Sequence, residues 1–174
     1  MRFQQKLIQW LFLATTFSGA FGPLHIAGPA LAFEPPVQRP LLTIGLQTGE
    51  GTHVITLDRA SLVAMGMESM ETTTPWYNGK VKFEGVPMTR LLEAVHAEGK
   101  TLTATALDDY ISTIPVEDFA KYHVLLALKR DGVDMPIRDK GPLFIVYPYD
   151  SSVELQNQIF YSRSAWQVKR FDIR

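Results

Sequence analysis

With 174 residues, 46% of them hydrophobic and 20% charged, the chain is long enough for one globular domain with a buried core. A formal net charge of -1 argues against a surface built for nucleic acid. The complete lack of cysteine excludes a disulfide framework and any thiolate-held metal.

Arg2 and Lys6 precede a mostly apolar run, Leu7 to Phe21, and Ala30-Leu31-Ala32 is a small-x-small cleavage pattern. Residues 1–32 therefore read as a secretory signal peptide cut after Ala32, with a bacterial periplasm as the implied destination. The competing reading is an uncleaved anchor, but Gly22, Pro23, His25, Gly28 and Pro29 interrupt the run before the ~20 apolar residues a span requires. Residues 33–40, rich in proline, predict an extended lead-in, and 41–174 a single domain.

Leu41 to Leu46 reads as a strand, Gly49-Glu50-Gly51 as a turn, and His53 to Leu57 as a second strand. Asp58 is a good N-cap for a short helix through Met65, ended by Gly66. Thr72, Thr73 and Thr74 favour extended backbone, and Pro75 holds Thr74 out of helical geometry. Over Glu71 to Leu92 the chain reads as a strand end, a loop, a short strand and then a helix, so that a strand-to-helix crossover surrounds the Trp76 to Gly79 loop with its two large aromatic rings. Pro87 suits the first turn of a helix, with Met88, Leu91, Leu92 and Val95 on one face and Gly99 closing it.

Thr101 to Leu107 alternates strictly and predicts a half-buried strand. Asp108 and Asp109 either close a turn or line a pocket mouth. Pro115 to Ala120 predicts a short helix, with Glu117 and Asp118 complementing its dipole. Tyr122 to Lys129 predicts a strand that turns at Asp131-Gly132 and returns over Val133 to Ile137. Leu143 to Pro148 reads as a buried central strand and Gln167 to Ile173 as the last one, with a bulge where the apolar phase slips between Val168 and Phe171. His53, His96 and His123 have no metal-ligand spacing, and no serine sits in a nucleophile elbow.

Phe83-x-Gly-Val-Pro-x-x-x-Leu-Leu92, the Leu125 to Pro136 hairpin, Lys140-Gly141-Pro142 and Arg163-Ser164-Ala165-Trp166 together resemble the sulfite-oxidase-fold, molybdopterin-binding oxidoreductases. The resemblance spans Leu41 to Ile173 and implies an α+β, β-rich mixed fold in one domain. In catalytic members the loop before the first of these motifs carries a cysteine that binds molybdenum. Here that region reads Thr72-Thr73-Thr74-Pro75-Trp76, and a threonine hydroxyl would hold the metal less well.

The resemblance therefore implies retention of a pocket for the organic pterin without molybdenum catalysis. The expected pocket comprises Thr73, Thr74, Trp76, Arg138, Asp139, Lys140, Gly141, Asp150, Arg163 and Ser164. Trp76 would stack on the ligand, Asp150 (or Asp139) would take the amino-pyrimidine edge, and Arg138, Lys140 and Arg163 would donate. Small secreted relatives without the cysteine imply a free pterin as ligand, no tightly bound cofactor, and a partner in the periplasmic domain of an inner-membrane sensor or cyclic-di-GMP enzyme. The alternatives are a molybdopterin-dependent oxidoreductase or its redox accessory subunit, and a protein-interaction module with a degenerate pocket.

Overall fold

The computed structural model describes residues 39–49 and 51–174; the predicted signal peptide and residues 33–38 of the lead-in lie outside them. Two five-stranded sheets carry the fold. In the first, β1 (Leu42–Thr48) and β2 (Gly51–Leu57) form the expected hairpin. β1 also pairs in parallel with β10 (Val168–Ile173), which continues to β5 (Thr101–Ala106) and β6 (Ile111–Pro115). The alternation in β5 is as the sequence predicts: Leu102, Ala104 and Ala106 are buried and the threonines half-buried. The predicted slip in β10 is a register shift between Val168 and Arg170.

The second sheet runs β3 (Glu68–Thr74), β4 (Tyr77–Pro87), β7 (Leu125–Arg130) and β8 (Val133–Asp134), with β9 (Phe144–Val146) also on β7. β7 is buried on both sides. Leu126 and Leu128 face the main core with Leu42, Ile44, Leu102 and Phe171, while Leu125 and Ala127 face a smaller cluster with Val81, Phe83, Phe144 and Val146. A strand covered on both faces reads as an unbroken apolar run, which is why alternation is absent there.

Among the described residues, four short α-helices flank the sheets: α1 (Arg59–Ala64), α2 (Met88–Ala94), α3 (Glu117–Tyr122) and α4 (Gln158–Arg163). Asp58 caps α1 by accepting from the Ser61 N–H at 2.7 Å. Met88, Leu91, Leu92 and Val95 are buried as one face.

Several expectations are corrected. Within Glu71–Leu92 the predicted strand end, loop and short strand form an antiparallel hairpin, β3 to β4, turned by Pro75 and Trp76, and not a crossover, and α2 follows it. The register shift past Thr73 absorbs Asn78 and Gly79, and Gly79 takes a positive φ of 74°. Pro87 ends β4, paired with Leu125, and is also the N-cap of α2, which starts one residue later at Met88. α2 stops at Ala94, short of Gly99, and His96 follows with φ 50°. α3 begins two residues later than predicted because Pro115 still pairs with Thr101. β7 begins at Leu125, since Tyr122 belongs to α3 and His123 ends it in the left-handed region. The return strand stops at Asp134, before Pro136, which lacks an N–H for the ladder. β9 is not central: beyond β7 its other side meets only the Phe144–Trp166 bridge. Helix α4, capped by Asn157, has no counterpart in the sequence reading.

Two glycines are fixed by close approach. A Cβ on Gly85 would lie 2.0 Å from the Leu126 carbonyl oxygen, where β4 and β7 shift register. One on Gly141 would lie 1.9 Å from the Met135 oxygen.

Candidate functional site

A cavity of about 300 Å³ opens where three loops meet, small but within the range of small-molecule sites. Pro75 and Trp76 come from the β3–β4 turn, and Ala106, Asp108 and Tyr110 from the β5–β6 turn. Gln158, Tyr161, Ser162 and Ser164 come from α4 and its exit, with Trp166 beyond. The short turn on Pro75 brings the Trp76 ring edge-to-face against Phe144, Tyr149, Tyr161 and Trp166, at centroid separations of 5.5, 6.1, 6.0 and 5.4 Å. Trp76 is half-buried and packs on both core clusters, so it joins them as well as facing the cavity.

The polar groups of the wall are held from behind. The Tyr110 hydroxyl and the Ser112 Oγ both donate to the Ser162 carbonyl, at 3.2 and 2.8 Å. Ser164 Oγ donates to the Phe160 carbonyl at 2.9 Å and shares a short hydrogen bond with the Tyr149 hydroxyl. Burial raises the Tyr149 phenol well above its ordinary pKa. Asp108 is exposed at the mouth and accepts from the Tyr110 N–H at 3.1 Å. A carboxylate has about four acceptor positions, so capacity remains for a ligand. Among the described residues, no lysine, arginine or histidine lines the cavity.

Of the predicted site residues, the structure brings only Trp76 and Ser164 to this wall. Thr74 adjoins it, but its hydroxyl accepts from the Trp76 N–H at 3.3 Å. Asp150 accepts from the N–H of Thr73 at 2.9 Å and from the Thr73 hydroxyl. These bonds, the hydroxyl first, hold the Asp150 carboxyl below its ordinary range. Its carboxylate ties the turn after β9 to the outer edge of β3 and does not line the cavity. Asp139 accepts from the Tyr77 hydroxyl at 2.9 Å and pairs with Arg130 at 2.6 Å. The Tyr77 phenol is pushed up to about 12, by burial first and by Asp139 second. Lys140 stands over Tyr77 and Trp166, 4.9 and 5.4 Å from the ring centroids, Arg138 is exposed, and Gly141 packs on Met135. Arg163 turns inward to Asp118 at 2.7 Å.

Asp108, Tyr110, Gln158, Tyr161, Ser162 and Trp166 were absent from the predicted site. The Asp108-Asp109 pair does both things the sequence allowed, forming the turn and placing Asp108 at the mouth. Gln158 and Tyr161 belong to α4, which at six residues is too short to show a helical period. Trp166, expected as packing, packs and lines at once.

The residues at the expected metal position do not fit molybdenum. Thr72 Oγ donates to the Thr73 carbonyl and accepts from the Asp150 N–H, and the Thr73 and Thr74 hydroxyls are engaged as described. Among the described residues no group of three His, Cys, Asp or Glu is placed to hold a metal ion.

A second, wider groove of about 570 Å³ lies between the start of β3, α2 and α3, lined in part by Met70, Arg90, Tyr122 and His123. Arg90 there is spent on Glu68 and the Gly66 carbonyl.

No curated protein matches the chain. The model of the oxidoreductase molybdopterin binding domain matches residues 49–153, which contain the β3–β4, β5–β6 and β7–β8 hairpins and two of the three loops that meet at the cavity. With its β-rich, two-sheet architecture, the chain belongs to the oxidoreductase molybdopterin-binding domain family, with a sulfite-oxidase-like fold.

Proposed function

We propose that this protein is a periplasmic pterin-binding regulator that signals to an inner-membrane, cyclic-di-GMP-metabolising protein without molybdenum catalysis. The observation that carries the ligand reading is the cavity's composition: aromatic walls and one exposed carboxylate, with no cation and no thiolate. A pterin offers a flat ring for the indoles and an amino-pyrimidine edge for a carboxylate. Molybdopterin adds a phosphate and a metal, for which this wall supplies neither cation nor sulfur. A free, unphosphorylated pterin is the form these residues suit. The compartment rests on the reading of residues 1–32, and the partner on the resemblance to small secreted relatives without the cysteine.

Calorimetric titration with oxidised and reduced pterins tests the ligand. Asp108→Ala removes charge-assisted hydrogen bonds of about 1.5–3 kcal/mol, so affinity should fall by about tenfold or more. A wild-type protein that ignores every pterin, or an Asp108→Ala protein that binds equally well, would overturn the assignment. In cells, deletion of the gene and the Asp108→Ala allele should shift cyclic-di-GMP in the same direction.

The competing reading, a molybdopterin-dependent oxidoreductase or its redox accessory subunit, draws on the family match. Elemental analysis of protein from a molybdenum-replete host separates the two: less than stoichiometric metal is expected, and one molybdenum per chain would restore the enzyme.

A further inference from the structure

The rings behind the cavity do not stop at its wall. Trp166 meets Trp76 at 5.4 Å, and Trp76 meets Tyr149 both directly at 6.1 Å and through Tyr161, at 6.0 and 5.3 Å. Tyr149 meets Tyr147 at 6.4 Å, and Tyr147 meets Tyr122 at 6.3 Å. Trp166, Trp76 and Tyr161 line the cavity, whereas Tyr122 lines the second groove. Tyr149 and Tyr147 between them are 1% and 0% exposed. An unbroken row of indoles and phenols therefore crosses the protein from one opening to the other.

Two of the phenols also point at bases. The Tyr147 hydroxyl donates to Asp118 Oδ2 at 2.8 Å, and the Tyr122 hydroxyl to Glu154 Oε1 at 2.6 Å. Core packing would be served by phenylalanine, which needs no hydrogen-bond partner, and each buried phenol costs free energy unless one is supplied. Indole and phenol share a property that phenylalanine lacks: they give up an electron readily. An oxidised phenol is a strong acid, so a carboxylate in contact with it takes the proton and makes the oxidation easier.

We propose that this row carries one-electron oxidising equivalents from the cavity to the groove. The oxidant is a one-electron-oxidised heteroaromatic ligand or an oxygen-derived radical in the cavity. It takes an electron from Trp76 or Trp166, and electrons then move from Tyr147, across the Tyr149 ring, to refill the indole. While Tyr147 is oxidised its proton rests on Asp118, and it returns when Tyr122 supplies the next electron. The Tyr122 proton passes to Glu154. The net change is one electron gained by the oxidant in the cavity, a neutral tyrosyl radical at Tyr122 and a protonated Glu154. A small reductant of the thiol or enediol class entering the groove restores Tyr122 with one electron and one proton, and Glu154 releases its proton to solvent. Lys121 lies 4.6 Å from the Tyr122 ring centroid and 3.5 Å from Glu154, which disfavours a radical cation there and favours the deprotonated radical. The path depends on the rings and not on which ligand fills the cavity.

The test is pulse radiolysis of the full chain carrying Trp10→Phe, which leaves Trp76 and Trp166 as its indoles. Azide radicals oxidise indole, and the tryptophanyl absorbance is followed as tyrosyl absorbance replaces it. A first-order transfer independent of protein concentration is expected, with nitroso spin-trap adducts mapping by mass spectrometry to Tyr122. Tyr147→Phe keeps the ring and removes the phenol that is oxidised, and should lower the Tyr122 adduct by an order of magnitude. Glu154→Gln, at an exposed position that does not endanger the fold, should lower it as well by removing the proton acceptor. No indole-to-tyrosine transfer in the parent protein would overturn the proposal. So would an undiminished Tyr122 adduct in Glu154→Gln and in a Tyr147→Phe protein that retains its near-ultraviolet circular dichroism.

Discussion

Trp76 was legible as a loop aromatic, but its surroundings were not, because its four ring partners come from β9, the turns after it, and α4. Since it joins both core clusters, Trp76→Ala should destabilise the fold by about 3 kcal/mol, the lower end for a tryptophan deletion at a half-buried site. Trp76→Phe should cost less, and urea denaturation of the two variants measures the difference. Asp150 has a different kind of role, revealed by pH. Its carboxyl is held below the ordinary 3.8 by Thr73, so the folded state binds fewer protons than the unfolded one near that pH. Its contribution is present in full above 3.8 and is lost as the pH falls through the lower folded value. Wild type and Asp150→Asn should therefore differ in urea midpoint at neutral pH and converge as the pH is lowered below 3.8. A difference that stays constant down to strong acid would show that the Thr73 contacts are not acting through the charge.

At the scale of elements, local pattern and long-range pairing separate cleanly. The cap at Asp58, the apolar face of α2, the alternation of β5 and the slip in β10 are written in neighbouring residues, and all were readable. The β3–β4 hairpin was misread because Pro75 and Trp76 give no standard two-residue turn signal, and because its bulge hides the register behind Asn78 and Gly79. The candidate site suffered more, since it draws on loops distant in sequence and on a helix of six residues. Charged residues that resembled ligand contacts are instead satisfied internally: Asp139 by Tyr77 and Arg130, and Arg163 by Asp118. Gly85 shows what the Phe83-x-Gly-Val-Pro motif does physically, since it lets β4 touch the β7 backbone where the register shifts. Gly85→Ala has nowhere to put its methyl group and should destabilise by about 3 kcal/mol or more, unless the sheet opens there. A thermal melt close to wild type would refute that reading of the contact.

On the scale of the whole molecule, the sheet order β2-β1-β10-β5-β6 joins the first strand to the last. Thr43 to Leu46 of β1 lie beside Arg170 to Ile173 of β10, and β10 pairs on its other edge with β5. The strand formed from the far end of the domain is thus the middle of the sheet, and without it β1–β2 and β5–β6 are two separate hairpins. A two-stranded hairpin alone is only marginally stable in water. Closing so large a loop before any reward is collected is slow, as for other topologies dominated by distant pairings. A chain that emerges N-terminus first, from a ribosome or across a membrane, therefore holds its first sheet open until β10 is out. Over that interval β1 and β5 each show a bare edge of unpaired N–H and C=O groups, a template on which another chain can add a strand.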